Sequence, residues 1–415
     1  LDAWLQTMRD ERGYGGPVTH WWQSCLLYCG PMADWRYEGL ICGYLNLYSS
    51  SLQPQWLERA ITAGEDLLIA QLPNGQFLNS SFEIGPVQGG TPHEAAVDLA
   101  LLELARKLRS LGDERWEPFY CAAEHNLKSY QLGELWNGSA FKDQAWNQTV
   151  VANKNATTME ALLLYEELSG CSMQQYILGA AELIMSVQVS EPGPRNGATI
   201  HLGTGPHQLA IGIYTARCLS ALVRLYERYP KDIYLERAGK MLDFLLRLVV
   251  EEGTLFGFYK DGRPVACPTW ISASGDLLRA MIMLKPYIAV PEWAMNHLAG
   301  LLVNRQLPSG GIPTAYGLGF KGQARRPNGR PDFRDVIPVV GWCDKAFRAL
   351  SLLAGKWEPE PKEILLSDTA IECMWKGRHC IFREDSERMQ LIDQRRGNIL
   401  FEWKKGDWYP KIYQL

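Results

Sequence analysis

The sequence predicts an all-α protein, an α/α toroid of about six inner and outer helix pairs with a small C-terminal strand extension. Three observations predict it. A short phrase recurs, as Leu67-Leu-Ile-Ala-Gln-Leu-Pro-Asn-Gly-Gln-Phe77 and again as Leu302-Val-Asn-Arg-Gln-Leu-Pro-Ser-Gly-Gly-Ile312. Each copy joins an amphipathic helix end to Gln, Leu-Pro, a small polar residue, Gly and an apolar residue, and such self-similarity marks a repeat architecture. Helical periodicity dominates the chain, with very apolar segments alternating with amphipathic ones. The apolar segments also share an opening: Thr91-Pro-His-Glu-Ala-Ala-Val-Asp98 matches Gly205-Pro-His-Gln-Leu-Ala-Ile-Gly212 at Pro and His. Cys267-Pro-Thr-Trp270 and Pro338-Val-Val-Gly-Trp342 are looser versions.

Seven segments read as inner helices, at about 19–29, 35–48, 91–108, 155–169, 205–228, 268–286 and 338–354. Amphipathic outer helices are expected at about 56–71, 115–131, 173–188, 232–250 and 292–306. Pro suits the first helical turn, where its missing N–H costs nothing. Thr91 with Glu94 three residues on reads as a capping box. The helix starts should therefore gather at one rim of the ring. Residues 189–204 and 313–337 read as long loops, which in a compact domain tend to serve function. The expected division is a barrel over 1–360 and an extension over 361–415, the latter a small strand pair.

With 42 basic and 46 acidic residues the net charge is −4, which gives no reason to expect nucleic acid. The 15 tryptophans are a surplus that suits an aromatic-lined pocket, or else a bulky helical core. Ten cysteines are scattered with no Cys-x-x-Cys pair, so a reducing, cytoplasmic setting with free thiols is expected. No apolar run of membrane length is visible.

The Gln71-x-x-x-Gly75-x-Phe77 phrase and its degenerate copy Gln306-x-x-x-Gly310-x-Ile312 resemble the repeat of the triterpene cyclases, which runs Gln, three residues, Gly, one residue, Trp. The chain is too short for the usual two-domain class II terpene cyclase. It resembles a single-domain class II cyclase of the merosterolic acid synthase type. That resemblance implies protonation-initiated cyclisation of a farnesylated hydroxybenzoic acid to a polycyclic meroterpenoid. It also implies an apolar isoprenoid partner with a carboxylate head, and leaves room for weak membrane association. The acid motif of that family, Asp-x-Asp-Asp, is absent, and the sequence holds no Asp-Asp pair.

The acid must therefore be sought elsewhere. Protonating an alkene needs a neutral carboxylic acid in a dry pocket, and burial or a nearby carboxylate keeps one neutral. Asp98, Asp276 and Asp344 lie near inner-helix starts. Asp344 has Arg348 at i+4 and Asp276 has Arg279 at i+3, which favour local ion pairs or capping. Asp98 has Glu94 one turn back and no local basic partner, so it reads as the proton donor, with a structural hydrogen-bonding role as the alternative. Trp21, Trp22, Trp270 and Trp342 sit at or near the helix openings, where aromatic faces would steady a cation; ordinary core packing is the alternative. His93 and Tyr316 join them as candidate substrate contacts, and helix-end packing is the alternative for His93. Arg326, and next Arg325, on the 313–337 loop are candidates to grip the carboxylate, working at a distance from Asp98 so as not to ionise it; a solvated loop charge is the alternative. No cofactor is expected, since neither an Asp-rich motif nor a Cys/His cluster is present.

Two further readings belong to other classes. One is a glycoside hydrolase or polysaccharide lyase on an α/α toroid, with Glu94, Asp98, Asp276 and Asp344 supplying a pair of acids. The other is a toroidal binding protein without catalysis.

Overall fold

The computed structural model of the chain describes residues 1–19, 26–29, 34–78, 93–201, 208–265, 267–317, 330–356, 369–406 and 411–413. Its helices in chain order are α1 (Asp2–Thr7), α2 (Trp35–Ser51), α3 (Pro54–Ile69), α4 (His93–Ser110), α5 (Trp116–Asn126, running on as a π-helical turn to Leu135), α6 (Ala152–Ser169), α7 (Gln174–Ser186), α8 (Gly212–Arg228), α9 (Asp232–Leu246), α10 (Gly275–Leu284), α11 (Glu292–Asn304), α12 (Phe333–Val336) and α13 (Val340–Leu353). Helices α2, α4, α6, α8, α10 and α13 form a closed inner ring, each packed on the next and α13 packed back on α2. Helices α3, α5, α7, α9 and α11 lie outside, each against the inner helix before it. Connections this short make each outer helix run back antiparallel, so the inner helices start at one rim. None of the described helices is long and apolar enough to cross a membrane.

The two Gln phrases fold as one and the same turn. Gln71 donates its amide to the Gly75 carbonyl at 3.2 Å and to Ala122 at 2.8 Å, while Leu72 N–H reaches Gln76 at 2.7 Å. Gln306 donates to the Gly310 carbonyl at 2.8 Å, and Leu307 N–H reaches Gly311 at 2.8 Å. Gly75 and Gly310 sit at φ of 85° and 91°, a conformation costly for any residue with a Cβ. A third copy is hidden from the sequence by an insertion. Gln188 donates to the Gly197 carbonyl at 3.1 Å, Val189 N–H reaches Ala198 at 2.8 Å, and Gly197 has φ of 87°.

The ring closes through α2 and α13. Gly39 and Gly43, one turn apart on α2, face α13; a Cβ on Gly39 would lie 2.3 Å from Asp344 Oδ2, and one on Gly43 would lie 2.4 Å from the Phe347 ring. Only glycine lets the two backbones approach this closely. Trp35 Nε1 then donates to the Gly341 carbonyl at 3.0 Å, and Asn46 Nδ2 to Ser351 Oγ at 3.0 Å.

Three expectations are corrected. The segment 19–29 is not an inner helix: Gly16–Thr19 pairs antiparallel with Leu26–Cys29. Pro17 and the β-branched Val18 and Thr19 favour extended backbone over a helix interior. The long loop 313–337 contains a strand, Ala315–Tyr316, and α12, which Asp332 and Asp335 cap reciprocally. The C-terminal strands exceed a pair. Thr369–Trp375, Arg378–Glu384, Arg388–Asp393, Ile399–Lys404 and Lys411–Ile412 form an antiparallel sheet in sequential order. The sheet packs on the ring through Phe333, whose ring meets Trp375, Phe382 and Phe401, and through Trp4 Nε1, which donates to Glu384 at 2.7 Å.

Candidate active site

Helix α4 brings two acids into the interior. Glu94 lies in its first turn and Asp98 one turn further on, and both have no exposed surface. Their fates differ. Glu94 accepts the backbone N–H of Phe77 at 3.1 and 3.2 Å, and the Asn126 side chain as well. Asn126 also donates to the Gly75 carbonyl at 3.0 Å. The repeated turn therefore ends on the acid: Phe77 and Gly75 are its closing residues. These contacts hold Glu94; the capping box expected with Thr91 lies outside the described residues. Burial pushes the Glu94 carboxyl up to about 8 against the hydrogen bonds from Phe77 and Asn126 and the charge of Lys154.

Asp98 has no such support. Among the described residues neither of its oxygens has a hydrogen-bond partner. Ala95, Leu101 and Leu102 beside it on α4 are fully buried. Burial raises its carboxyl well above the ordinary range, and the negative charge of Glu94 raises it further. Among the described residues an ionised Asp98 would have no counter-ion, and its burial favours the protonated, neutral form. Lys154, near the start of α6 and only 1% exposed, donates to the Asp143 carbonyl at 3.0 Å. Burial pulls its amine down to about 7, while Asp143 and Glu94 oppose that fall.

The opposite side of the same rim is aromatic. Trp270 lies in the strand Thr269–Trp270 just ahead of α10, and Trp342 lies in the first turn of α13; their rings are 4.9 Å apart. Trp35 at the start of α2 lies 6.2 Å from Trp342, and Phe256 lies 6.2 Å from Trp270. Tyr316 stands on the neighbouring strand, where it pairs with Thr269. Offset and tilted rings of this kind present π-faces that attract cations.

Beneath the rim, charged residues from the ring helices meet on its axis. Arg217 of α8 bridges Glu38 of α2 at 2.6 Å and Glu160 of α6 at 3.0 Å. Arg348 of α13 also pairs with Glu38, and Arg279 of α10 approaches Glu160 at 3.3 Å. All but Arg217 are less than 9% exposed. Burial would push Glu38 up, but Arg217, Arg348 and Arg279 together overcome it and hold the carboxylate far below its usual range. This network closes the ring axis as a floor. Sequence reasoning missed it, because its members come from five different helices and meet only through the fold.

The network corrects two local pairings. Arg348 and Arg279 serve Glu38 and Glu160 instead of Asp344 and Asp276. Asp344, fully buried, accepts from Lys345 at 2.5 Å, and burial lifts it to about 7 against that lysine's charge. Asp276 is half-buried and is likewise raised by desolvation, with Lys345 and the floor arginines opposing.

Of the residues expected at the site, the fold brings Trp270, Trp342 and Tyr316 together on one side of the rim and sets Asp98 in the interior on α4. His93 is the first residue of α4, and its side chain is outside the described part. Trp21, Trp22, Arg325 and Arg326 lie outside the described residues, as does His207. No group of three His, Cys, Asp or Glu among the described residues is arranged to hold a metal ion. The described cysteines outside the first strand pair are free thiols, including Cys373 and Cys380, which face each other across adjacent strands.

No protein-family model matches the sequence, and no curated protein matches it. Solved structures do match in fold. A D-mannose isomerase is 14% identical at a TM-score of 0.57, covering 85% of this chain and 95% of its own. The cellobiose 2-epimerase from Bacillus thermoamylovorans B4167 is 10% identical at a TM-score of 0.61, with the same coverages. An unsaturated glucuronyl hydrolase specific for heparin is 12% identical at 0.58, covering 85% and 95%. At these identities the likeness is one of fold. The chain is an α/α toroid of the kind on which carbohydrate isomerases, epimerases and hydrolases are built.

Proposed function

We propose that this protein is an acid-initiated cyclase of the class II terpene type, in which Asp98 protonates the terminal alkene of a linear isoprenoid. The observation that carries the reading is the state of Asp98: fully buried, without a hydrogen-bond partner among the described residues, and raised by both burial and Glu94. Burial of this kind favours the protonated form of the acid. Its carboxylate becomes tolerable only when a positive charge forms beside it, as happens when an alkene takes the proton and leaves a carbocation. The π-faces of Trp270, Trp342 and Trp35 suit a cation that migrates away from Asp98 during ring closure. Glu94, fixed by Phe77 and Asn126, raises Asp98 further wherever it ionises itself, above about 8. We assign the carboxylate head of a prenylated hydroxybenzoate to Arg326, with Arg325 second. Replacing Arg326 by Ala is expected to weaken binding of such a substrate by about 1.5–3 kcal/mol and to leave a decarboxylated analogue unaffected.

A second reading, a carbohydrate isomerase, epimerase or hydrolase, is favoured by the fold neighbours and by the polar side of the interior, where Asp344, Lys345 and Asp276 gather. Incubation in D2O separates the two. A farnesylated hydroxybenzoate should give a polycycle carrying one solvent deuteron on carbon, while mannose and cellobiose should come back unlabelled and unchanged. Exchange or cleavage of the sugars, with the isoprenoid untouched, would establish the second reading instead.

A further inference from the structure

Below the ionic floor, at the end of the ring opposite Asp98 and the tryptophans, lies a separate cavity of about 260 Å³ between the C-terminal halves of α2, α4, α8, α10 and α13. Nothing in the reading above uses it. Its charged lining is unbalanced: Arg106, Arg224, Arg279 and Arg348 against Glu103 and Glu227. The carboxylates are also largely spent. Glu103 accepts from Arg224 at 2.7 Å and from Arg106 at 2.5 Å, and Glu227 accepts from Tyr287 at 2.9 Å.

The arginines, by contrast, have donors to spare. Arg279, 4% exposed, uses only Nη2, in two long contacts to Glu160 at 3.3 and 3.5 Å. Arg348, 5% exposed, uses Nη1 on Glu38. The other guanidinium nitrogens of these two side chains are not sealed in the protein, and both residues line the cavity. A planar guanidinium open to a cavity is well matched by a bidentate oxyanion. Crowding shows in Arg279 itself, which burial and then the charge of Arg348 hold down to about 10. The helix C-termini on this side disfavour an anion, but that effect fades within a turn, whereas four guanidiniums converge directly on the space.

We propose that this lower cavity binds a small multivalent oxyanion of the phosphate and diphosphate class, with Arg279 and Arg348 at its inner wall and Arg106 and Arg224 at its mouth. At about 260 Å³ the space has room for a small oxyanion. Since Arg279 and Arg348 also tie α10 and α13 to Glu160 and Glu38, an occupant would tighten the whole ring.

The test is calorimetric titration of the full chain with inorganic diphosphate and, separately, inorganic phosphate, with chloride holding ionic strength constant, alongside thermal melting. Saturable binding at one site per chain and a raised melting temperature are expected, with diphosphate the tighter of the two. Arg106→Gln, at the half-exposed mouth, should weaken diphosphate about tenfold by removing a charge-assisted bond. Glu227→Gln, which removes a repelling carboxylate from an exposed position, should tighten it about two- to threefold. These opposite shifts do not depend on a core variant folding, and Arg224→Lys replaces Arg106→Gln if the latter is unstable. A response equal to that of chloride at matched ionic strength would overturn the proposal. Saturable binding that ignores both mouth variants would place the anion elsewhere and overturn it as well.

Discussion

At the scale of single residues, the account rests on two acids one turn apart with opposite supports. Glu94 is held by Phe77, Asn126 and the charge of Lys154, and still sits at about 8 against an ordinary value of 4.5. Because its folded value lies above its unfolded one, the folded chain binds more protons across that window, and stability falls as pH rises through it. Lys154, pulled down to about 7, acts with the opposite sign above that pH, so the clean window lies below. Melting temperature measured from pH 5 to pH 7 should therefore decline less steeply in Glu94→Gln than in the wild type. The same variant removes a charge that raises Asp98, so the alkaline limb of turnover should move to lower pH. An unmoved limb would mean that the two acids do not interact. That Asp98 would be buried without a basic partner was legible in the sequence, because its helix offers no basic residue within reach. Asp276 and Asp344 were misread for the converse reason: the nearby Arg279 and Arg348 looked like their partners, yet acids from other helices claim both. A local spacing rule has no access to competitors that arrive through the fold.

At the scale of elements, the Gln turn links the repeat to the site. Gln71 satisfies the Gly75 carbonyl and Ala122, and the turn then delivers Phe77 N–H to Glu94. Gln71→Ala should cost about 1–2 kcal/mol in a denaturant titration and should also lower turnover, because it loosens the support of Glu94. Gln306→Ala should cost a similar amount, about 1 kcal/mol, with turnover retained, since that copy is remote from α4. Equal effects on turnover would detach the turn from the acid. Most helices were legible because they repeat the apolar period over about three or more turns; α1 and α12, of six and four residues, were not. The segment 19–29 was not, since a short apolar run fits helix and strand alike. The third turn, at Gln188, escaped because the residues between Gln188 and Gly197 break the phrase, while the hydrogen bonds that define it survive.

At the scale of the whole molecule, a ring of six helices is closed by glycine contacts at α2 and α13 and braced by charges meeting on its axis. Glu38 compensates both Arg217 and Arg348, so Glu38→Gln would strand the buried Arg348 and leave Arg217 with Glu160 alone. A loss of about 3–5 kcal/mol on chemical unfolding is expected, the range for breaking a buried pair. A loss below about 1 kcal/mol would mean the floor is solvated and worth no more than surface pairs. The most direct test of the central claim is single-turnover cyclisation of a farnesylated hydroxybenzoate by Asp98→Asn against the wild type, with melting temperature recorded on the same samples. The asparagine keeps the shape, removes the proton, and relieves a buried acid that lacks partners. The account predicts a fall in rate of about 10²–10⁴-fold, the span of general acid catalysis, with the melting temperature kept or raised. Turnover within about tenfold of wild type would contradict it, because no residue supplying the initiating proton can be dispensed with so cheaply.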